Sequence, residues 1–158
     1  MLMMKRNARI TAIVALLLLL GVVVFLATKN VNDASFTQND DGSMELSTSE
    51  GTLTTGKELP EGWPDDAPIF AGSAIIYSAG AEPMDGTLGL AAVLETKATS
   101  KEVFDFYKTE LPKQGWKLSA EMQAAGTVIF SATKDERTLS MAISETSDGT
   151  AITMTIEK

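Results

Sequence analysis

The sequence predicts an α+β fold in which one helix packs on one face of an antiparallel sheet, with the element order ββαββββ. Three observations support this prediction. After an apolar N-terminal run, only one segment has the apolar spacing of an amphipathic helix. The segments around it alternate apolar and polar residues, as half-buried strands do. The turns between them pair apolar residues with apolar residues, so that the sheet has one buried face.

An uncharged run of 18 residues, Ile10 to Ala27, precedes the predicted domain. A helix over residues 10–28 would rise about 28 Å, close to the roughly 30 Å hydrocarbon thickness of a bilayer. Basic side chains precede the run without any acidic one, so the positive-inside rule places residues 1–9 in the cytoplasm. We therefore expect a single-pass transmembrane helix that holds the C-terminal domain outside the cell membrane.

The alternative interpretation of this run is a cleaved secretory signal. Cleavage after Ala27 would place the large Phe25 at a position that needs a small residue, and cleavage after Ala34 would place Asn32 there. The apolar core is also long for a signal, so the sequence favours a retained anchor. Both interpretations make the domain extracytoplasmic.

Residues 29–58 are expected to form a polar tether between the anchor and the domain. Residues 29–42 have too few apolar side chains to bury and predict a flexible spacer.

Residues 43–56 alternate apolar and polar side chains and predict a short hairpin within this tether. A two-residue turn at Glu50 and Gly51 would pair Leu46 with Thr55. Because an isolated hairpin is marginal in water, this segment either docks on the main domain or is disordered.

The folded domain is predicted over residues 59–158. It begins with three prolines in the nine residues 60–68, which predict an ordered lead-in loop. Ile75 to Ser78 and Thr87 to Thr96 then follow as two strands.

Thr99 to Gly115 is the predicted helix. Thr99 and Glu102 form a capping box, and Pro112 with Gly115 ends the helix. Its apolar stripe consists of Val103, Phe106, Tyr107 and Leu111.

Four strands follow the helix, joined by turns at residues 124–126, 135–136 and 148–149. These turns predict one inner, apolar face and one outer, polar face. The predicted inner pairs are Met122 with Val128, Ala120 with Phe130, Ala132 with Leu139, Phe130 with Met141, Ile143 with Met154, and Met141 with Ile156. Trp116 is expected to be buried between the helix and the sheet.

Two segments resemble an uncharacterised class of small bacterial and archaeal extracytoplasmic domains behind a membrane anchor or lipoprotein signal. Residues 59–73 are similar to its "DVPxYPGA" motif, with Ala67, Phe70 and Ala71 in place of Val, Tyr and Pro. Its "FYxxxLxxxGW" motif is matched in spacing by Phe106, Tyr107, Leu111, Gly115 and Trp116. The resemblance covers residues 59–158 and implies no activity.

The composition excludes most active-site chemistry. The chain contains no Cys and no His, which excludes disulfides, thiol nucleophiles, imidazole bases and the usual zinc sites. Residues 28–158 carry ten basic and 21 acidic side chains, and this acidic balance makes nucleic acid a poor partner. We assign no catalytic, cofactor-binding or metal-binding residue and expect the protein not to be an enzyme.

Trp63, Asp65 and Asp66 in the lead-in loop are the candidate ligand residues. Trp63 could stack on a sugar or seal the end of the sheet. Adjacent carboxylates could support acid–base chemistry, but Asp after Pro is also ordinary turn chemistry. The structural interpretation is favoured for all three residues.

The outer sheet face carries a row of short hydroxyl side chains, which are Ser131, Thr133, Thr138, Ser140, Thr153 and Thr155. Such a face suits solvent, but it is also flat and easily desolvated. Either the face is solvated, or the hairpin of residues 43–56 covers it, or it binds a protein partner or a second copy. The sequence thus favours a membrane-tethered, noncatalytic interaction or sensing module with an unidentified protein partner. The alternatives are a small-ligand or glycan binder and, more remotely, a hydrolase that uses Asp65 and Asp66.

Overall fold

A computed structural model describes residues 35–40, 42–48, 51–83, 89–124 and 126–158. The anchor expected at residues 10–28 lies outside this range. Among the described residues, no helix is long and apolar enough to cross a membrane.

The described part of the chain forms nine strands and one helix. The strands are β1 (Ser35–Gln38), β2 (Met44–Thr48), β3 (Gly51–Gly56), β4 (Ala74–Pro83), β5 (Gly89–Thr96), β6 (Lys117–Ala124), β7 (Thr127–Lys134), β8 (Arg137–Thr146) and β9 (Gly149–Glu157), and the helix α1 (Ser100–Lys113) lies between β5 and β6.

All nine strands form one antiparallel sheet in the order β1-β2-β3-β4-β5-β9-β8-β7-β6. From β4 onward the chain follows the predicted order ββαββββ, so the α+β class is confirmed. The last strand, β9, lies between β5 and β8 and joins the two halves of the sheet.

The helix begins and ends as its sequence predicts. The Thr99 backbone N–H donates to the Glu102 carboxylate (2.8 Å), and the Glu102 N–H donates to the Thr99 hydroxyl (3.3 Å). Pro112 lies in the last turn, and Gly115 follows with a φ of +89°. This positive φ favours glycine and lets the chain reverse into β6.

Helix α1 packs on the inner face of β6 to β9. Val103, Tyr107 and Leu111 are completely buried there, and Trp116 is 2% exposed as expected. The Tyr107 hydroxyl accepts a hydrogen bond from the Phe70 N–H (3.2 Å). The helix therefore also fixes the lead-in loop.

The lead-in loop covers the inner face where the helix does not reach. The Ser78 hydroxyl on β4 donates to the Glu58 carbonyl. A Cβ added to Gly80 would lie 3.2 Å from the Cβ of Pro60, so the loop runs directly against β4. Helix and loop thus both lie on the inner face of the sheet.

The hairpin predicted over residues 43–56 forms, but the register predicted for it is wrong. The structure pairs Leu46 with Leu53 and Thr48 with Gly51, instead of Leu46 with Thr55. Gly51 belongs to the strand, where its φ of +145° suits only glycine.

The register predicted across the β8–β9 turn is wrong in the same way. The expected pair of Ile143 with Met154 is wrong, because Ile143 pairs with Ile152 and Met141 pairs with Met154. In both hairpins the turn precedes the glycine, and moving a turn by one residue shifts the register by two. A two-residue shift preserves the faces, so the inner residues remain inner. The predicted pairs across the β7–β8 turn, Phe130 with Met141 and Ala132 with Leu139, are confirmed.

The pairing predicted between β6 and β7 is also wrong, and here the faces change. The register shifts between Leu118 and Ala120, which indicates a β-bulge. Beyond it, Met122 pairs with Ile129 rather than with Val128, and Ala120 pairs with Ser131 rather than with Phe130. The extra residue turns Met122 to the outer face, where it is 58% exposed.

The tether contains more structure than the sequence indicates. Strand β1 lies where a flexible spacer is expected, and it pairs with β2. β3 pairs with β4, so the hairpin extends the sheet at its edge. The interpretation that this hairpin covers the outer face is therefore wrong.

Candidate functional site

The two aspartates of the lead-in loop do not act as a pair. Asp65 is exposed, whereas Asp66 turns toward the β7–β8 turn. The carboxylate of Asp66 accepts hydrogen bonds from the Arg137 guanidinium at 2.9 and 2.7 Å and from the Lys134 ammonium at 2.6 Å. Two cations thus share one half-buried carboxylate, and its chemistry is that of an ion-pair anchor.

The electrostatics of Asp66 agree with this role. The hydrogen bonds from Arg137 lower the pKa of Asp66 below its ordinary value of 3.8, and Lys134 contributes in the same direction against the opposing effect of burial. The carboxylate raises the pKa of Arg137 in turn. Asp66 is therefore held ionised and is not available as a general acid.

Trp116 connects this anchor to the core. Its indole N–H donates to the Asp66 carbonyl at 2.7 Å, and the Arg137 guanidinium lies 5.1 Å from the ring centroid. One aspartate thus binds the tryptophan through its backbone and two cations through its side chain. Sequence analysis missed Lys134 and Arg137, because no local signal links them to a residue about 70 positions earlier in the chain.

Trp63 is a half-buried residue that packs against the core. Its indole N–H donates to the Ala67 carbonyl at 3.0 Å. Trp63, Asp65 and neighbouring prolines line a shallow cleft of about 400 Å³. Of the three candidate loop residues, Trp63 and Asp65 lie at this cleft, and the Asp66 carboxylate is bound elsewhere.

The six predicted hydroxyl residues lie on the outer face, as expected. Thr133 pairs with Thr138, and Ser131 pairs with Ser140, which pairs with Thr155. Thr153 lies beside Ala142 on the same face. Thr133, Thr138 and Ser140 are exposed, and the other three are partly exposed.

The outer face continues into an apolar half that sequence analysis did not recognise. Across β1 to β5, one row of paired residues consists of Phe36, Leu46, Leu53, Ala81 and Gly89, and the next of Gln38, Met44, Thr55, Ala79 and Ala91. A third row runs in sheet order from β4 through β5, β9, β8 and β7 to β6. It consists of Tyr77, Val93, Thr153, Ala142, Ile129 and Met122. None of these residues is charged, although the chain has a net charge of −8.

A groove of about 190 Å³ lies in this apolar half. Its floor includes Ala79, Ala81 and Ala91, and Leu53 and Tyr77 stand beside it. Tyr77 hydrogen-bonds with Thr55, and its burial raises the pKa of its hydroxyl, so the hydroxyl stays protonated. Small side chains beside large ones create the depression.

In the described ranges, no group of three or more Asp or Glu side chains is placed to hold a metal ion. The features brought together by the fold are an ion-pair anchor, a shallow loop cleft and a sheet face with three uncharged rows, bordered by Glu95, Lys117 and Glu157. The fold and these features define a small α+β domain whose described helix and lead-in loop lie on one face of the sheet.

A family model described as START domain-like matches residues 78–150, from β4 to the start of β9. Over this stretch, the chain is similar to that family, and the match agrees with a small domain of uncharacterised function. The match includes α1 and most of the sheet that it covers. No curated protein and no solved structure matches the chain.

Proposed function

We propose that this protein is a membrane-tethered, noncatalytic interaction or sensing module that binds a protein partner through its outer face. The three uncharged rows of that face carry the proposal. Solvated faces of acidic domains are usually rich in charged side chains, because these keep the protein soluble. The three uncharged rows can be desolvated without burying an ion, which suits protein contact.

The hydroxyl half of the outer face also suits a partner. Ser140 and Thr155 lose little rotamer entropy on contact, whereas a long Lys or Glu side chain loses up to about 2 kcal/mol. Their hydroxyls can both donate and accept hydrogen bonds. The hydroxyl half can therefore add specific polar contacts to those of the apolar half.

The partner face is tested by replacing Ser140 and Thr153 with Lys in the full chain. The proposal expects unfolding free energies within about 0.5 kcal/mol of the unsubstituted protein, since both positions are at the surface. It also expects loss of proteins that co-purify with the chain from membranes of its own host. A matched control replaces Thr109, which is exposed on α1, with Lys. Unchanged co-purification with the double variant would refute binding through this part of the face.

A second candidate function is small-ligand or glycan binding at the loop cleft. The cleft of about 400 Å³ beside Trp63 favours it. Sugars or cell-wall fragments would then change the tryptophan fluorescence to saturation, and Trp63→Phe would remove most of that change. A response that survives Trp63→Phe would not come from this cleft.

We further propose that residues 10–28 form a retained anchor and that the domain belongs to the membrane-anchored extracytoplasmic class that it resembles. The length and hydropathy of this run support the anchor. Immunoblots of membrane and soluble fractions test it: full-length protein should remain in the membrane fraction after a carbonate wash. A mature N-terminus after residue 27 would refute the anchor.

A further inference from the structure

In two rows of the outer face, side-chain size falls from β1 to β5. In the first row, Phe36 and Leu46 on β1 and β2 lead to Ala81 and Gly89 on β4 and β5, with Leu53 between them on β3. The neighbouring row shows the same gradient: Gln38, Met44, Thr55, Ala79 and Ala91. The surface therefore rises at the β1 edge and falls at β5.

Such a gradient is complementary to itself. A two-fold axis parallel to β3, between two sheets that face each other, places β1 of one copy over β5 of the other. Phe36 then lies over Gly89, Leu46 lies over Ala81, and Leu53 lies over its own counterpart. Away from the axis, large side chains meet small ones in both directions, as a self-complementary, closed contact requires.

The groove matches the side chain that it would receive. It has a volume of about 190 Å³ and an alanine floor, and an apolar cavity of about 150 Å³ is enough to bind benzene. Phe36 is 66% exposed. It cannot reach the groove of its own chain, because β2 and β3 lie between them in the sheet.

Charge opposes contact between two copies least at the uncharged rows. The domain is strongly acidic, so two copies repel each other through most of their surfaces. Within the groove lining, Glu157 is the charged residue, and it lies at the end of β9. The uncharged rows are thus the surface through which two acidic copies can approach.

We propose that the protein self-associates through the β1–β5 half of its outer face, with Phe36 of each copy in the groove of the other. Five strands at about 4.8 Å spacing and about six residues in length cover roughly 480 Å² per copy. The total of roughly 1,000 Å² is at the lower limit for a specific interface. The contact is therefore weak in solution, and the inference relies on the proposed membrane tether to raise the local concentration.

The two-fold arrangement agrees with such a tether. An axis parallel to the strands keeps the N-terminal ends of both β1 strands at the same end of the dimer. Both chains can then leave toward one membrane.

Cross-linking of the full chain in membranes tests the arrangement, because the natural chain has no cysteine. Leu53→Cys lies on the axis and should cross-link to itself with a short bis-maleimide. Co-expressed, differently tagged Phe36→Cys and Gly89→Cys chains should cross-link to each other. Phe36→Cys alone should not, because the two β1 strands lie four strand spacings, about 19 Å, apart. Met122→Cys is the matched control, since Met122 is 58% exposed on the same face but outside the contact.

Removing the aromatic side chain tests its role. In the Leu53→Cys background, Phe36→Asp should reduce cross-linking about ten-fold, and Met122→Asp should leave it unchanged. Unfolding curves of both variants establish that the fold persists. Equal losses in the two variants would overturn the inference.

Other occupants of the face give different results. Cross-linking of Phe36→Cys to itself would overturn the proposed axis. Absence of Leu53→Cys cross-linking would overturn self-association, whether maleimide labels the residue freely or a segment of the same chain protects it. Loss of partner capture by the Ser140 and Thr153 variant without self-cross-linking would leave the proposed function intact and refute this inference. Self-cross-linking without any effect of that variant on partner capture would support this inference and refute the proposed partner face.

Discussion

The sequence places Asp66 in an ordinary turn, whereas the structure places it at the centre of an ion-pair anchor with Lys134 and Arg137. We expect Asp66→Ala to lower the free energy of unfolding by about 1.5 to 3 kcal/mol. The substitution removes hydrogen bonds between charged groups and leaves Arg137 and Lys134 without the carboxylate that they share. Urea unfolding of the full chain in detergent measures this effect. Asp65→Ala is the matched control and should change it by less than about 0.5 kcal/mol. Equal effects of the two substitutions on the free energy of unfolding would contradict the role of Asp66 as an ion-pair anchor.

The same contact predicts a dependence on pH. The pKa of Asp66 is lower in the folded protein than its ordinary value of 3.8. Its stabilising contribution is therefore complete above 3.8 and is lost as the pH falls through the folded pKa. The stability difference between the natural protein and Asp66→Asn should be constant near neutral pH and shrink below 3.8. A difference that grows in acid would contradict the assignment.

Trp116 gives a second prediction for a single residue. Trp116→Ala should cost about 3 to 5 kcal/mol, because it empties a buried site. Trp116→Phe should cost less, since it keeps most of the apolar volume and loses the hydrogen bond to the Asp66 carbonyl. Thermal unfolding monitored by circular dichroism ranks the variants. Similar costs for both would mean that the hydrogen bond, and not the packing, dominates.

The burial of Trp116 could be predicted from the sequence, because its alternation with neighbouring residues is local. The hydrogen bonds of Asp66 could not be predicted, since they depend on where two distant turns meet. Burial follows from a pattern of neighbours, whereas a specific ion pair follows from the complete fold.

At the level of the strands and turns, Gly149 is the position that the β8–β9 hairpin requires. Its φ is +143°, and an added Cβ would lie 2.0 Å from the Thr96 carbonyl oxygen. We expect Gly149→Ala to destabilise the protein by at least about 3 kcal/mol, because it adds a backbone clash to conformational strain. Gly72→Ala is the control, since Gly72 also has a positive φ but has no atom within 4 Å of the added Cβ. Its cost, measured by the same thermal unfolding, should be about 1 to 2 kcal/mol.

The strand registers show which features of an element the sequence can predict. Alternation gives the face of a residue but does not locate the turn to within one residue, so two hairpins were predicted with a shift of two. The bulge in β6 has no clear signal, because Ser119 is an ordinary strand residue. It reverses the faces of the residues that follow, and Met122 was therefore predicted on the wrong face.

The N-terminal hairpin has a structural role that can be measured. A chain that starts at residue 57 keeps α1 and six strands but exposes the edge of β4 and removes Thr55, the hydrogen-bond partner of Tyr77. We expect this chain to have a lower melting temperature than one that starts at residue 35, and to aggregate, because an unpaired edge invites intermolecular strand pairing. Gel filtration and thermal unfolding of the two chains test this. Equal melting temperatures and two monomers would show that β1 to β3 are dispensable.

For the molecule as a whole, the α+β class and the element order from β4 onward could be predicted, because one amphipathic helix among alternating strands has few arrangements. The apolar half of the outer face could not. Its alanines and glycine carry no strong hydropathy signal, and they form a surface only after β1 to β5 have paired.

The proposed weak association of membrane-tethered copies predicts a dependence on surface density. Full chains reconstituted in vesicles at a fixed total concentration should cross-link through Leu53→Cys more strongly as the ratio of protein to lipid rises. Detergent at the same total concentration should abolish most of the cross-linking. A yield independent of surface density would indicate a tight interface, which roughly 1,000 Å² would not explain.

The position of β9 in the centre of the sheet determines when the protein can fold. β5 has no partner on one side until β9 arrives, and β8 has none on its side either. Residues as far apart as Leu90 and Ile156 must meet before the core closes, and such distant pairings slow folding. Without residues 149–157, the chain can form only two half-sheets with an open seam between them. Until β9 is in place, that seam presents unpaired strand edges to other chains.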